Sequence, residues 1–413
     1  MNALKVYHYY GRTTLSMGLP ESEFVEVNSR SSHSWNECLK RLHEEHGMDC
    51  RIYLHTLQAN TKRVNQRGIE WVFVPVSLRA LYRSKAFIKI ANHPDLWCSF
   101  PLLQELRQYP PDLFVFYGCL PNLFTLVLAT HLKQRGIPFV TIVHAEVSNL
   151  LRRSWKHSPF QDFLSFILSR FRRQVYYRLF KAAAAVVVLT EEDSKAMART
   201  FSVEQQKVRV IPSGVNDAYF YPAMEKPSLS EPSLCFVGRL EEAKGFLEAL
   251  KVFHLIKKRF PRAILHVAGV YTSSEYKAKA EAFIETNELT GSIIFHGYIG
   301  PEELGELYRG CHLLLFPSRQ EGLPRAVLES MACGTPAIVL SGTGGHSRLI
   351  SNGINGIVTD RQKMADEAIR LLEDEHQLRR LSLNAARLIQ AEFSFATMYE
   401  RVKRLYGELL RSS

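Results

Sequence analysis

Short apolar runs alternate with amphipathic stretches along the whole chain. In the first half KVYHYY, RIYLHT, WVFVPV, LFVFYG, FVTIVH, AAVVVLT and VRVIP read as strands. In the second half SLCFVG, AILHVAG, IIFHG, HLLLFPS, PAIVL and GIVTD do so. Several are apolar without alternation, the pattern of strands covered on both faces. Between them WNECLKRLHEEHG, EEDSKAMARTF, KGFLEALKVFHLIKKRF, PEELGELYRG and MADEAIRLLED carry apolar residues at helical spacing. This rhythm predicts an α/β fold of parallel sheets flanked by helices. Pro, Ser and Gly cluster over 211–233, between the two strand series. The chain is therefore expected to divide into an N-terminal domain, 1–214, and a C-terminal domain, 215–394, with FSFATMYERVKRLYGELL as a final amphipathic helix. Two such halves imply a cleft, because open α/β sheets bind ligands beyond the carboxyl ends of their strands.

Composition narrows the class. A chain of 413 residues suits two domains of about 200 residues each. With 46% hydrophobic and 23% charged residues, it reads as soluble and globular. The start, MNALKVYHYYGR, lacks the basic-then-apolar pattern of a secretion signal. The longest apolar run, LFVFYGCLPNLFTLVLAT (113–130), is interrupted by Gly118, Pro121 and Asn122, which predicts strand, turn and helix rather than a membrane span. Seven cysteines without C-x-x-C spacing read as reduced core thiols of a cytoplasmic protein, with no zinc or other metal site.

The charge is unevenly distributed along the chain. Residues 1–214 hold 28 Lys/Arg against 17 Asp/Glu, whereas 215–413 hold 24 of each, so the whole net charge of +11 lies in the first half. A basic half points to an anionic partner. Two stretches, 77–93 and 151–181, interleave that charge with aromatic and aliphatic residues, as an interfacial segment requires. The expected partner is an anionic membrane surface and not nucleic acid, for which no motif is present.

The chemistry concentrates in FPSRQEGLPRAVLESMACGTPAIV, 316–339. Here a strand enters a loop, a helix is expected to start at Pro324, and Gly334 is expected to end it, with Leu328, Met331 and Ala332 as the buried side. The free N–H groups of that helix start suit an anion such as phosphate. Glu321 on the loop and Glu329 in the helix are within reach of one ligand, and a carboxylate accepts two hydrogen bonds from a vicinal diol. Arg325 and Glu329, at i and i+4, also suit a surface ion pair, although Arg ahead of Glu is the poorer order. A second loop, SLCFVGRLEEAKGF (233–246), sets Gly238 for close backbone approach and Arg239 and Lys244 as a clamp for a diphosphate. Its mixed signs also suit a solvated, internally paired loop.

Together these residues resemble the donor-binding half of family 4 glycosyltransferases, retaining enzymes with the GT-B fold. GRLEEAKG matches the family's G-R-L-x-x-x-K-G, Glu321 to Glu329 matches E-x7-E, and FHGYI, GINGIV and IPSGV fall in family order. The match is specific over about 208–360, looser over 111–144 and weak before residue 60. The resemblance implies two Rossmann-like domains facing across a cleft, with the C-terminal helix (about 395–413) returning to the first. It implies that Arg239 and Lys244 neutralise the leaving nucleoside diphosphate, that Glu329 binds ribose and that Glu321 binds the transferred sugar. Gly238, Gly322, Leu323, Pro324 and Arg325 would line the donor, and His144 would face the sugar from the acceptor side.

The implied activity is metal-independent, cofactor-free, retaining transfer from a nucleotide-sugar donor. UDP-sugars are the family default and GDP-mannose is second. The implied acceptor is a glycan or lipid-linked acceptor at the cytoplasmic membrane face, in cell-surface polysaccharide or glycolipid synthesis. Three positions depart from the family pattern. SRSSHSWNE (29–37) replaces a glycine pair with Ser31, Ser32, His33 and Ser34; Ser213 stands for Asn; and Arg348 stands for Glu. A nicotinamide dehydrogenase is disfavoured, because Ser347 occupies the place of the third glycine in GTGGHS and only about six residues remain for a crossover helix. A nucleotide-sugar epimerase and a non-catalytic sugar-nucleotide-binding protein remain as alternatives.

Overall fold

The computed structural model describes residues 3–13, 25, 34–56, 58–77, 98–118, 123–144, 147, 173–224, 228–319, 321–342, 345 and 349–411. Two units form, Met1–Pro212 with Tyr399–Ser413 and Ser213–Met398.

In the first unit, runs of buried β-branched and aromatic residues build an eight-stranded sheet. Its strands are β1 (Lys5–Thr13), β2 (Asp49–Thr56), β3 (Lys62–Gln66), β4 (Ile69–Pro75), β5 (Leu113–Tyr117), β6 (Phe139–Val143), β7 (Ala185–Val188) and β8 (Val208–Val210), in the order β3-β4-β2-β1-β5-β6-β7-β8. All neighbours run parallel except β3 and β4, a hairpin turning through Arg67 and Gly68 with φ of 52° and 75°. Apolar periodicity does not anticipate β3. Its Lys62, Arg63, Asn65 and Gln66 are polar, as befits an edge strand that must not pair further.

Helices α1 (Ser34–His46), α2 (Phe100–Gln108), α3 (Leu123–Gln134), α4 (residues 173–182) and α5 (Glu191–Phe201) accompany this sheet. Ser99 caps α2 by accepting from Leu102 N–H, and Thr190 caps α5 by accepting from Asp193 N–H. The apolar run over 113–130 becomes β5 and α3, as its Gly and Pro predict. No helix among the described residues is long and apolar enough to cross a membrane. The described cysteines are free, five of them buried. The last helix, Phe395–Arg411, docks on the first unit, where the Tyr399 hydroxyl donates to Glu45 (2.7 Å) and the Tyr406 hydroxyl meets His8 Nε2 (3.0 Å).

His8 and His55 sit inside this core, and burial lowers their pKa from 6.5 to about 3 and about 4. Unfolding returns both to their ordinary value, so the unfolded chain takes up protons that the folded one refuses. Stability is therefore full above about pH 6.5 and falls as pH drops toward the folded values, by up to about 1.4 kcal/mol per pH unit for each histidine. Urea unfolding, read by hydrogen exchange in β1 and β2, should weaken between about pH 7 and about pH 5. His8→Gln should remove roughly half of that slope. A midpoint independent of pH over this range contradicts the assignment.

The second unit holds six parallel strands: β9 (Ser233–Val237), β10 (Ile264–Ala268), β11 (Ile293–Gly297), β12 (Leu313–Phe316), β13 (Ala337–Leu340) and β14 (Ile357–Thr359). Their order, β11-β10-β9-β12-β13-β14, is that of a dinucleotide-type doubly wound sheet. Strand order reverses between β9 and β12, which pair directly through Leu234–Leu313 and Cys235–Leu314. The loops leaving their carboxyl ends therefore start side by side. Five further helices, α6 (Phe246–Arg259), α7 (Ser274–Thr286), α8 (Pro301–Arg309), α9 (Arg325–Ala332) and α10 (Met364–Glu373), precede α11 (Glu375–Glu392).

Candidate functional site

The loop after β9 is shaped by glycine. Gly238 has φ of +148° and Gly245 has φ of +75°, a left-handed conformation that starts α6. Gly245 also lies against the next loop, where an added Cβ would be 2.3 Å from the Pro317 carbonyl oxygen. That approach brings the two loops into register, and Arg319 N–H donates to the Ala243 carbonyl (3.1 Å).

Three side chains converge where the loops touch. Lys244 Nζ lies 2.6 Å from Glu321 Oε1, and the Ser318 hydroxyl donates to that same oxygen at 2.7 Å. Both donors serve the same oxygen, Oε1. The Glu321 main chain is held too, because its carbonyl accepts from Gly345 N–H (2.8 Å). Gly345 sits so close to Gly322 that a Cβ would fall 1.2 Å from the Gly322 oxygen. Only glycine fits there. The side chains of Lys244 and Glu321 are 22% and 11% exposed, enough to meet a ligand while limiting competition from water.

Several expectations need adjusting. Arg239 has an exposed side chain that pairs with Glu241 at 2.9 Å inside its own loop. Pro324 is the cap of α9 rather than its first residue, and Arg325 opens the helix. Gly334, with φ of +68°, lies just beyond the end of α9 as expected. This helix has no solvent stripe over its second half, since Val327 to Ala332 are all buried. Arg325 and Glu329 do form the i,i+4 pair, at 2.8 Å, but it is no ordinary surface bridge because Glu329 is buried. Removing Arg325 would strand the buried Glu329 charge, whereas removing Glu329 leaves a half-exposed cation that water can solvate. Tyr308 is buried nearby; burial, and then the Glu329 charge, raise its pKa. Leu323 and Pro324 are buried and Gly322 is half-buried.

His144 belongs to the first unit, just after β6. Its half-buried ring packs on Tyr117 (centroids 4.5 Å apart) and faces the edge of Trp35 (6.4 Å). Tyr10 completes the group, 4.2 Å from the Tyr117 ring and hydrogen-bonded to Asn36 (2.7 Å). Sequence reasoning found His144 but missed these aromatics: Tyr10 and Tyr117 lie in strands that read as ordinary apolar runs, and Trp35 lies in the first turn of α1. It also missed Ser318, whose signal was its position three residues before Glu321. Ser213 is buried; Ser31, Ser32, His33 and Arg348 lie outside the described residues. Among the described residues no group of three His, Cys, Asp or Glu is placed to hold a metal ion.

The doubly wound units and the cation–carboxylate constellation at a switch point define a GT-B protein. A solved sucrose-phosphate synthase from Thermosynechococcus elongatus shares this fold with a TM-score of 0.74 at 17% identity, over 99% of this chain and 100% of that one. Anabaena HepE, solved in complex with UDP-glucose, does so with a TM-score of 0.66 at 16% identity, over 98% and 100%. Residues 36–219 match the family described as Glycosyltransferase Family 4, and residues 222–388 match Glycosyl transferases group 1. The chain belongs to the family 4 glycosyltransferases. It is 28% identical over 256 residues to the D-inositol 3-phosphate glycosyltransferase of Paenarthrobacter aurescens, an alignment spanning 59% of this chain and 60% of the relative.

Proposed function

We propose that this protein is a retaining glycosyltransferase that moves a sugar from a nucleoside-diphosphate donor to a hydroxyl acceptor. The observation that carries the reading is Lys244 and Ser318 holding one oxygen of Glu321 beside the start of α6, at the switch point of the second sheet. UDP-sugars are the first choice of donor, supported by the UDP-glucose complex of HepE, and GDP-mannose is the second. Lys244, with Arg239 swinging from Glu241, neutralises the departing diphosphate. Glu321 receives sugar hydroxyls, Glu329 takes the ribose diol, and the 322–325 backbone lines the donor.

The acceptor hydroxyl attacks the anomeric carbon from the leaving-group face. The bond to the diphosphate breaks as the new glycosidic bond forms, and the departing phosphate oxygen takes the acceptor proton. Such a step depends on charge stabilisation and positioning rather than on a protein nucleophile. His144, with Tyr117 and Tyr10, forms the acceptor side. The acceptor is a glycan or lipid-linked hydroxyl met at an anionic cytoplasmic membrane face. The basic, aromatic stretches 77–93 and 151–181 motivate that docking and lie largely outside the described residues.

Turnover of radiolabelled UDP- and GDP-sugars, with and without lipid acceptors, tests this reading. Transfer should need an acceptor, retain the anomeric configuration and survive EDTA. Conversion of the donor without acceptor would identify an epimerase. Loss on chelation with recovery in Mn²⁺ or Mg²⁺ would refute the role of the two cations. Glu329→Ala should weaken binding of the free nucleoside diphosphate by about 1.5–3 kcal/mol.

A further inference from the structure

A groove of about 1030 Å³ runs between α2, α3 and α4 in the first unit, and none of its lining residues belongs to the transfer site. Leu103, Leu126, Val127 and Ala182 supply apolar lining, and the charged residues around it are Arg107, Lys133 and Arg178. No acid lines it. The helix at its floor explains the character of the surface. Residues LFTLVLATHL of α3 are apolar on most sides, so Leu128 and Leu132 fill the core while Val127 remains 48% exposed in the groove. A helix apolar beyond its buried face normally meets a further apolar partner. His131 lies in the same groove. Its Nε2 is buried with no hydrogen-bond partner among the described residues, and burial, then Arg135 and Arg107, lower its pKa.

An apolar groove whose described charged residues are all cationic complements one chemistry in particular, an amphiphile with a hydrocarbon chain and an anionic head. A polar polyanion would leave the aliphatic floor wet, and a neutral apolar ligand would leave three cations unanswered. The volume suits a single extended chain, being at the upper end for ligand pockets, roughly 300–1,000 Å³. We infer that this groove takes up an acyl chain of an anionic membrane lipid, with the headgroup among Arg107, Lys133 and Arg178. The site rests on the membrane reading above and deepens it, because it converts general charge attraction into a defined lipid seat on described residues.

The test uses the full chain, with sub-micellar dodecyl phosphate as a single-chain probe. Phosphatidylcholine vesicles with and without phosphatidylglycerol form the second arm. Calorimetry should find one dodecyl phosphate per chain, with inorganic phosphate and dodecyltrimethylammonium failing to bind. Arg107→Ser, Lys133→Ser and Arg178→Ser should each weaken binding about fivefold, and Val127→Asp should abolish it. All four positions are exposed, so an unchanged melting temperature confirms the fold of each variant. Vesicle binding should require phosphatidylglycerol and fall with Val127→Asp. If vesicles bind through anionic lipid but the groove variants bind as wild type does, the lipid seat is overturned while membrane docking stands. Dodecyl phosphate binding without vesicle binding overturns the membrane as the source of the occupant. Equal affinity for inorganic phosphate, or insensitivity to Val127→Asp, overturns the acyl chain.

Discussion

Lys244→Ala is expected to cut sugar transfer by about 10²–10³-fold, and adding Glu321→Ala should cost little more. The two residues share one carboxylate oxygen at 2.6 Å, so each single change already dismantles the pair. Without the lysine, Glu321 keeps its Ser318 hydrogen bond but faces the diphosphate as a second negative charge. Without the glutamate, Lys244 loses the group that aims it. Contacting residues of this kind show coupling of about 0.5–3 kcal/mol in a double-mutant cycle. The measurement is kcat and KM for the donor across the four-member cycle. Strictly additive losses would mean that the cation and the acid act on the donor without positioning each other. Ser318→Ala separates positioning from binding. It should lower turnover about tenfold or more while leaving affinity for the free nucleoside diphosphate unchanged, and Ser318→Thr should restore it.

Gly245→Ala is expected to destabilise the second unit by about 3 kcal/mol or more. Two causes add. At φ of +75° a Cβ is strained on its own account, and this Cβ would lie 2.3 Å from the Pro317 carbonyl oxygen, a backbone atom that cannot rotate away. Relieving the clash must separate the loops after β9 and β12, which also parts Lys244 from Glu321. Gly291→Ala, with open space around its Cβ and ordinary φ, is the control. Thermal melting with and without nucleoside diphosphate reads both effects. A Gly245→Ala protein as stable as the control variant would show that the loop contact contributes nothing.

The sequence by itself determined the succession of elements and the residues worth watching. Strands buried on both faces read as unbroken apolar runs, such as Ala185–Val188 and Leu313–Phe316, so the α/β rhythm was legible without neighbours. Polar β3 was not, because an edge strand needs no apolar face. Gly238, Lys244, Glu321 and Glu329 were legible because their loops combine glycine, cation and acid at spacings that few structural needs explain. Only the tertiary structure decided which of these groups meet. Lys244 and Glu321 are 77 positions apart and become partners because β9 and β12 pair across the switch point and Gly245 admits Pro317. Arg239, five positions before Lys244, pairs with Glu241, and Glu329 was drawn into the interior while its partner Arg325 stayed half-exposed. Local spacing sets which partners a flexible charged side chain can reach. Backbone approach and burial decide which one it keeps.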